Sequence, residues 1–150
     1  VKLIGSENDQ FQFQLAFRER ELLAQVLQLY PQIPTSYQAL SKAAGLEESN
    51  QRLLDEALAE TRFQNKKELD ALLADPRRFN RQDTGWRLAL SAGDVEWLLQ
   101  ILNDIRVGSW IRLGSPEVPL SALTAESAAY FWAMEMAGTF QMHFLELLEG

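Results

Sequence analysis

The sequence predicts one mainly α-helical domain, a bundle-like arrangement of about five helices with a small N-terminal β-hairpin. Three observations carry that reading. Apolar residues recur at helical spacing through most of the chain beyond position 18, they alternate in twos only near the N-terminus, and the 150 residues match the ordinary size of one domain. The expected divisions are a hairpin over 1–17, a helical region over 18–73, a basic loop with a short strand over 74–90, and an antiparallel helix pair over 91–149.

Val1 to Ile4 and Gln10 to Phe17 read as two strands joined at Ser6-Glu7-Asn8-Asp9, because Phe11, Phe13, Leu15 and Phe17 alternate with Gln12, Gln14 and Ala16. Two strands are marginal alone, so their apolar face must lie on helices or be extended by a third strand, for which Arg87 to Leu90 is the candidate. Leu22, Leu23, Val26, Leu27 and Tyr30 place the first helix from Arg18 to about Tyr30, closed by Pro31 and Pro34. A short helix from Ser36 to Ala44 ends at Gly45, and a longer one runs from about Glu48 to Leu73. Leu53, Leu54, Ala57 and Leu58 give the longer helix an apolar stripe, whereas Arg62 to Lys67 is polar almost all round and is expected to project into solvent or meet a partner. Pro76, several charges and Gly85 make Ala74 to Gly85 an arginine-rich loop.

Ser91, with Asp94 three residues on, opens the next helix as a capping box, and Val95, Leu98, Ile101, Leu102 and Ile105 pack before Gly114 and Pro116 stop it. Thr124 caps a final helix to about Leu148, in which Tyr130, Phe131, Met134, Ala137, Phe140, Met142, Phe144, Leu145 and Leu148 are expected mostly inward. The short connection between the two predicts antiparallel packing. Gly108 and Gly138 inside these helices each cost about 0.5 to 1 kcal/mol against alanine, which predicts close approach of a backbone or of a ring such as Trp110 or Trp132.

A chain without cysteine forms no disulfide and has no thiolate ligand or nucleophile, in keeping with the cytoplasm. Its apolar stretches fall short of the roughly 20 residues a membrane span needs, and Val1 to Gly5 leads into polar residues without the pattern of a secretory signal. The net charge of −7 opposes generic binding to nucleic acid or anionic lipid. The charge is uneven, with seven basic residues against four acidic ones between Arg62 and Arg87.

Asn103-Asp104-Ile105-Arg106, flanked by Trp97 and Trp110, sets polar residues among apolar rows of one helix, with Asn103 and Arg106 on one face. They are expected to be partly buried and paired, Arg106 with the neighbours of Asp104 or with Glu135 on the last helix, and Arg112 belongs to the same candidate network. Either this network fixes helix register, or Arg106 holds a carboxylate or phosphate while Asp104 or Glu135 carries a proton. No catalytic residue is assigned. His143 and Glu146 lie one turn apart, but two ligands do not make a metal site, and the Glu-x-x-His order of di-iron bundles is reversed. No phosphate loop or nucleophile elbow is present, so neither metal nor cofactor is expected.

Arg77, Arg78 and Arg81 could dock an acidic partner or simply be solvated. Ser36 to Leu58 has the cadence of a helix-turn-helix, with Leu40, Ser41, Gly45, Leu46 and Leu54 in place. Glu47, Glu48, Asp55 and Glu56 would then face phosphate with only Arg52 to offset them, which makes nucleic acid an unfavourable partner.

Trp97 to Arg106, then Gly108 and Arg112-Leu113-Gly114, with Tyr130-Phe131-Trp132 opening the last helix, resembles a family of small bacterial proteins classed as a domain of unknown function. The likeness covers about Leu88 to Leu148. It implies a mixed helical domain with an N-terminal strand region and, since some members are encoded beside the adaptor of the Clp protease, a role near regulated proteolysis. The resemblance implies no activity. The leading expectation is a non-enzymatic cytoplasmic interaction or adaptor-like domain whose partner is another protein or a second copy of itself, with the helix-turn-helix and the Arg106 site as alternatives.

Overall fold

The computed structural model describes residues 1–34, 48–114 and 124–149. Strands β1 (Lys2–Glu7) and β2 (Gln10–Leu15) form the expected hairpin, closed by the pair Glu7 and Gln10. Its two turn residues, Asn8 and Asp9, have φ of 52° and 62°, the left-handed pair that matches the twist of a two-residue hairpin and that Asn and Asp tolerate best after glycine. A bulge at Ile4 shifts the β1 register between Leu3 and Gly5.

β3 (Phe79–Gln82) and β4 (Gly85–Ser91) make a second hairpin turned by Asp83 and Thr84. β4 pairs with β2 antiparallel from Gln10–Ser91 to Leu15–Trp86, so the sheet runs β1-β2-β4-β3. The third strand therefore exists and is longer than its expected Arg87 to Leu90 core. The loop expected over Ala74 to Gly85 is corrected, because its second half is an edge strand. Phe79-Asn80-Arg81-Gln82 has a single apolar residue, and pairing with β4 holds it extended where its own pattern would not.

Among the described residues there are four helices, α1 (Phe17–Leu27), α2 (Glu48–Ala74), α3 (Ala92–Arg112) and α4 (Ala125–Glu149). The short helix expected over Ser36 to Ala44, with Gly45, lies outside the described residues. Both expected caps are formed. Ser91 Oγ accepts from Asp94 N–H at 3.0 Å while Asp94 Oδ2 accepts from Ser91 N–H at 3.1 Å, and Thr124 Oγ1 accepts from Ser127 N–H at 3.1 Å. α3 and α4 are antiparallel, since Gln141 reaches the Leu99 carbonyl while Gly138 lies against Arg106.

Cross-strand pairing puts Phe11, Phe13, Leu15, Trp86, Leu88 and Leu90 on one face of the sheet, and Phe13, Leu15, Leu88 and Leu90 are fully buried there. α4 closes that face, with Phe144 meeting Phe13 edge-on at 5.1 Å. Gln10, Gln12, Gln14 and Arg87 line the other face. The molecule is thus a layer of helices on a four-stranded sheet sharing one core, not a bundle with a hairpin attached. On α4 the buried row is Ala133, Ala137, Phe140 and Phe144, spaced at one helical stripe. Met142, Leu145 and Leu148, expected inward, lie off that stripe and are exposed. Among the described residues no helix is long and apolar enough to cross a membrane.

Candidate functional site

The polar residues of α3 divide into two groups with different jobs. Asp104, Gly108 and Arg112 recur every four residues, so they share one face of α3, and the chain leaving α1 crosses that face. Asp104 Oδ1 accepts from the main-chain N–H of Gln32 at 2.7 Å and of Ile33 at 3.4 Å. Arg112 Nε donates to the Gln32 carbonyl at 2.8 Å. A Cβ on Gly108 would stand 2.2 Å from the Gln32 carbonyl carbon, so only glycine lets the strand pass.

From the other side, α2 grips the same segment. Arg62 Nη2 donates to the Ile33 carbonyl at 2.6 Å, and Lys66 Nζ donates to the carbonyls of Gln28 and Tyr30 at 3.0 and 3.2 Å. Asn65 donates to the Tyr30 hydroxyl and accepts from Trp97 Nε1, both at 3.0 Å. The expectation that the middle of this helix projects into solvent holds for one side only: Phe63, Gln64 and Lys67 are exposed, whereas Arg62, Asn65 and Lys66 satisfy the carbonyls and hydroxyl of a segment that has no strand or helix to do so.

Asn103 and Arg106 face α4 instead. Arg106 donates to Gln141 Oε1 and to Asn103 Oδ1, each at 3.0 Å. Of the two partners expected for Arg106, a neighbour of Asp104, Asn103, is found, whereas Glu135 is exposed and does not pair with it. The five residues Asn103, Asp104, Arg106, Arg112 and Glu135 thus do not converge. A shallow depression of about 310 Å³ beside Arg106 is lined by Val107, Trp110 and Met134, with no carboxylate among the described lining residues. Asp104, spent on two main-chain N–H groups, is not placed as a proton carrier. His143 joins no metal-binding group, since among the described residues no three His, Asp or Glu side chains are so arranged. Residues 36–47 of the helix-turn-helix reading lie outside the described residues, and Glu48 to Leu58 is the start of a helix continuous to Ala74.

Burial pushes the Tyr30 hydroxyl above its ordinary 10.0, and Asp104 adds to this against the Asn65 hydrogen bond and the Arg62 charge. The unfolded phenol ionises first, so this contribution to stability is present below pH 10.0 and is lost as pH rises through the folded value. Absorbance titration of tyrosinate should show a late component that Tyr30→Phe removes; a Tyr30→Phe variant with an unchanged titration curve would refute the assignment.

A second constellation surrounds the β3 edge. Arg20, on the inward row of α1 with Leu23 and Leu27, stacks 4.5 Å from the Trp86 ring and 5.6 Å from Phe79. Arg81, the cross-strand neighbour of Trp86, lies 5.1 Å from the exposed ring of Phe17. Arg78 pairs with Asp75 at 3.3 Å and lies 4.0 Å from Asp94. Arg20, Arg77, Arg81 and Arg87 form no ion pair among the described residues. Sequence reasoning singled out Arg77, Arg78 and Arg81 but did not join them to Arg20, Phe17 or Trp86. The available signal was an arginine at an inward helical position.

Between α1 and α4 lies an open groove of about 450 Å³, with Gln25, Gln28, Leu29 and Gln32 on one wall and Ala129, Tyr130, Trp132 and Ala133 on the other. Among the described lining residues the Tyr130 hydroxyl is the one ionisable group. No family model matches the chain, and comparison with curated proteins and with solved structures likewise gives no match.

Proposed function

We propose that the chain is a non-enzymatic cytoplasmic protein-binding domain that recognises an acidic partner through the edge formed by Phe17, Arg20, Arg81 and Trp86. The observation that carries this reading is the set of arginines that form no ion pair among the described residues, in a chain where 21 acidic residues outnumber 14 basic ones. Carboxylates are plentiful, yet among the described residues none pairs with Arg20, Arg77, Arg81 or Arg87. Arg20 and Arg81 each lie over an aromatic ring, and Arg81 is exposed with its N–H groups open to carboxylate oxygens, whereas Arg20 Nε is buried and has no hydrogen-bond partner among the described residues.

Self-association is the second reading, favoured by the exposure of Met142, Leu145 and Leu148 along α4. In a fluorescence anisotropy titration at low salt, a glutamate-rich peptide should bind, and Arg81→Glu should weaken it by about tenfold or more. No binding, or tighter binding of a DNA oligonucleotide at the same salt, would overturn the reading.

A further inference from the structure

The acidic-partner reading leaves open how a partner is held, and the β3 edge bears on that. Ala89 N–H donates to the Arg78 carbonyl at 2.7 Å, which makes Phe79–Leu88 and Arg81–Trp86 the non-hydrogen-bonded pairs of this ladder. Asn80 and Gln82 therefore turn their main-chain groups toward β4. Arg81 turns its N–H and C=O away from the sheet, and no described residue pairs with β3 on that side. Phe79 N–H is already taken by the Asp75 carbonyl at 2.8 Å, so the free main-chain groups centre on Arg81.

The two edges of the sheet differ. β1 carries the bulge at Ile4, a distortion that bends an edge away from further pairing. β3 keeps a regular register from Phe79 to Gln82. Arg81, with Arg20 of α1 over the neighbouring rings of Phe79 and Trp86, repels a second β3 edge, which guards against self-pairing, and the same charges attract a strand of opposite sign.

We infer that an acidic peptide segment of a partner protein adds to the sheet as a fifth strand along β3, its main chain bonding Arg81 and its carboxylates meeting Arg81 and Arg20. This rests on the acidic-partner reading. Side chains two apart on an added strand share a face, so the glutamate opposite Arg81 and the one next along on that face would lie toward the guanidinium–aromatic stack of Phe17, Arg81, Trp86, Arg20 and Phe79. The preferred ligand is then an extended segment with acidic residues at alternate positions. A nucleic acid has no N–H and C=O ladder to offer this edge.

The test uses an acetylated heptapeptide with glutamate at every second position and threonine between, titrated against the full chain by fluorescence anisotropy. Two further peptides are compared: one with the glutamate amides N-methylated, which keeps the charge and blocks the ladder, and one of the same composition with its glutamates consecutive. The expected result is that each control binds weaker by roughly tenfold, and that the alternating peptide slows hydrogen exchange at the Arg81 amide. Equal binding of the N-methylated peptide with unchanged exchange at Arg81 overturns strand addition while leaving the acidic-partner reading standing. Equal binding of the consecutive peptide overturns the alternation, and failure of all three peptides to bind overturns the acidic-partner reading itself.

Discussion

Replacing Phe144 with alanine is expected to cost about 4 kcal/mol of unfolding free energy. Phe144 is fully buried at the centre of the contact between α4 and the sheet, where its ring stands at 89° to Phe13. Truncation removes the transfer free energy of the ring, leaves a cavity between two rigid layers that cannot collapse onto each other, and loses the edge-to-face contact with Phe13, which adds about 0.5 to 1.5 kcal/mol. Urea unfolding followed by circular dichroism reads the change as a shifted midpoint at constant slope. Leu145→Ala, at an exposed position one residue on, is the control and should move the midpoint little. A cost for Phe144→Ala no greater than that of the control would show that α4 does not lie on the sheet as described.

Gly108→Ala is expected to destabilise the protein by about 3 kcal/mol, although alanine is the better helix former by about 1 kcal/mol. The new methyl would meet main-chain atoms of Gln32 and Ile33 at 2.2 and 2.3 Å, and main chain cannot rotate aside as a side chain can. The segment must lift from α3, taking with it the N–H groups that Asp104 accepts. Asp104→Ala alone should cost about 2 kcal/mol by leaving those donors unsatisfied. In the double variant the two costs should fall short of their sum, because lifting the segment already breaks the Asp104 bonds. Gly138→Ala offers the contrast, since its Cβ would meet only the flexible side chain of Arg106 at 3.4 Å. Additive costs at Gly108 and Asp104 would refute the shared latch.

The hairpin at the N-terminus and the bounds of α2, α3 and α4 were legible because each rests on a local pattern: alternation, helical spacing, or a capping side chain beside its target. Gly108 was legible as a point of close approach, but not what approaches it. The groups that meet Asp104, Arg112, Arg62 and Lys66 are main-chain N–H and C=O, which every residue carries and no sequence pattern marks. Reading Asp104 and Arg106 together assumed that neighbours in sequence act together, whereas they sit on different faces of one helix. β3 escaped for a related reason. A four-residue strand with one apolar side chain owes its form to β4. Met142, Leu145 and Leu148 were placed inward on hydrophobicity alone, and the stripe through Phe140 and Phe144 shows how narrow the covered face of α4 is.

The order of the sheet sets an order of events during synthesis. β1 and β2 leave the ribosome first, yet the strand that completes their face, β4, pairs Ser91 with Gln10, so α1 and α2 must emerge between them. Until then Phe11, Phe13 and Leu15 have only a marginal two-stranded ribbon around them. Pairing β2 with β4 closes a long loop, whose entropy is recovered only when the buried faces meet, and such non-local closure is the slow step of folding in proteins of this kind. The nascent chain therefore carries an apolar strand face that waits for its partner, and the glutamines at positions 10, 12 and 14 keep the other side of that strand compatible with water while it does.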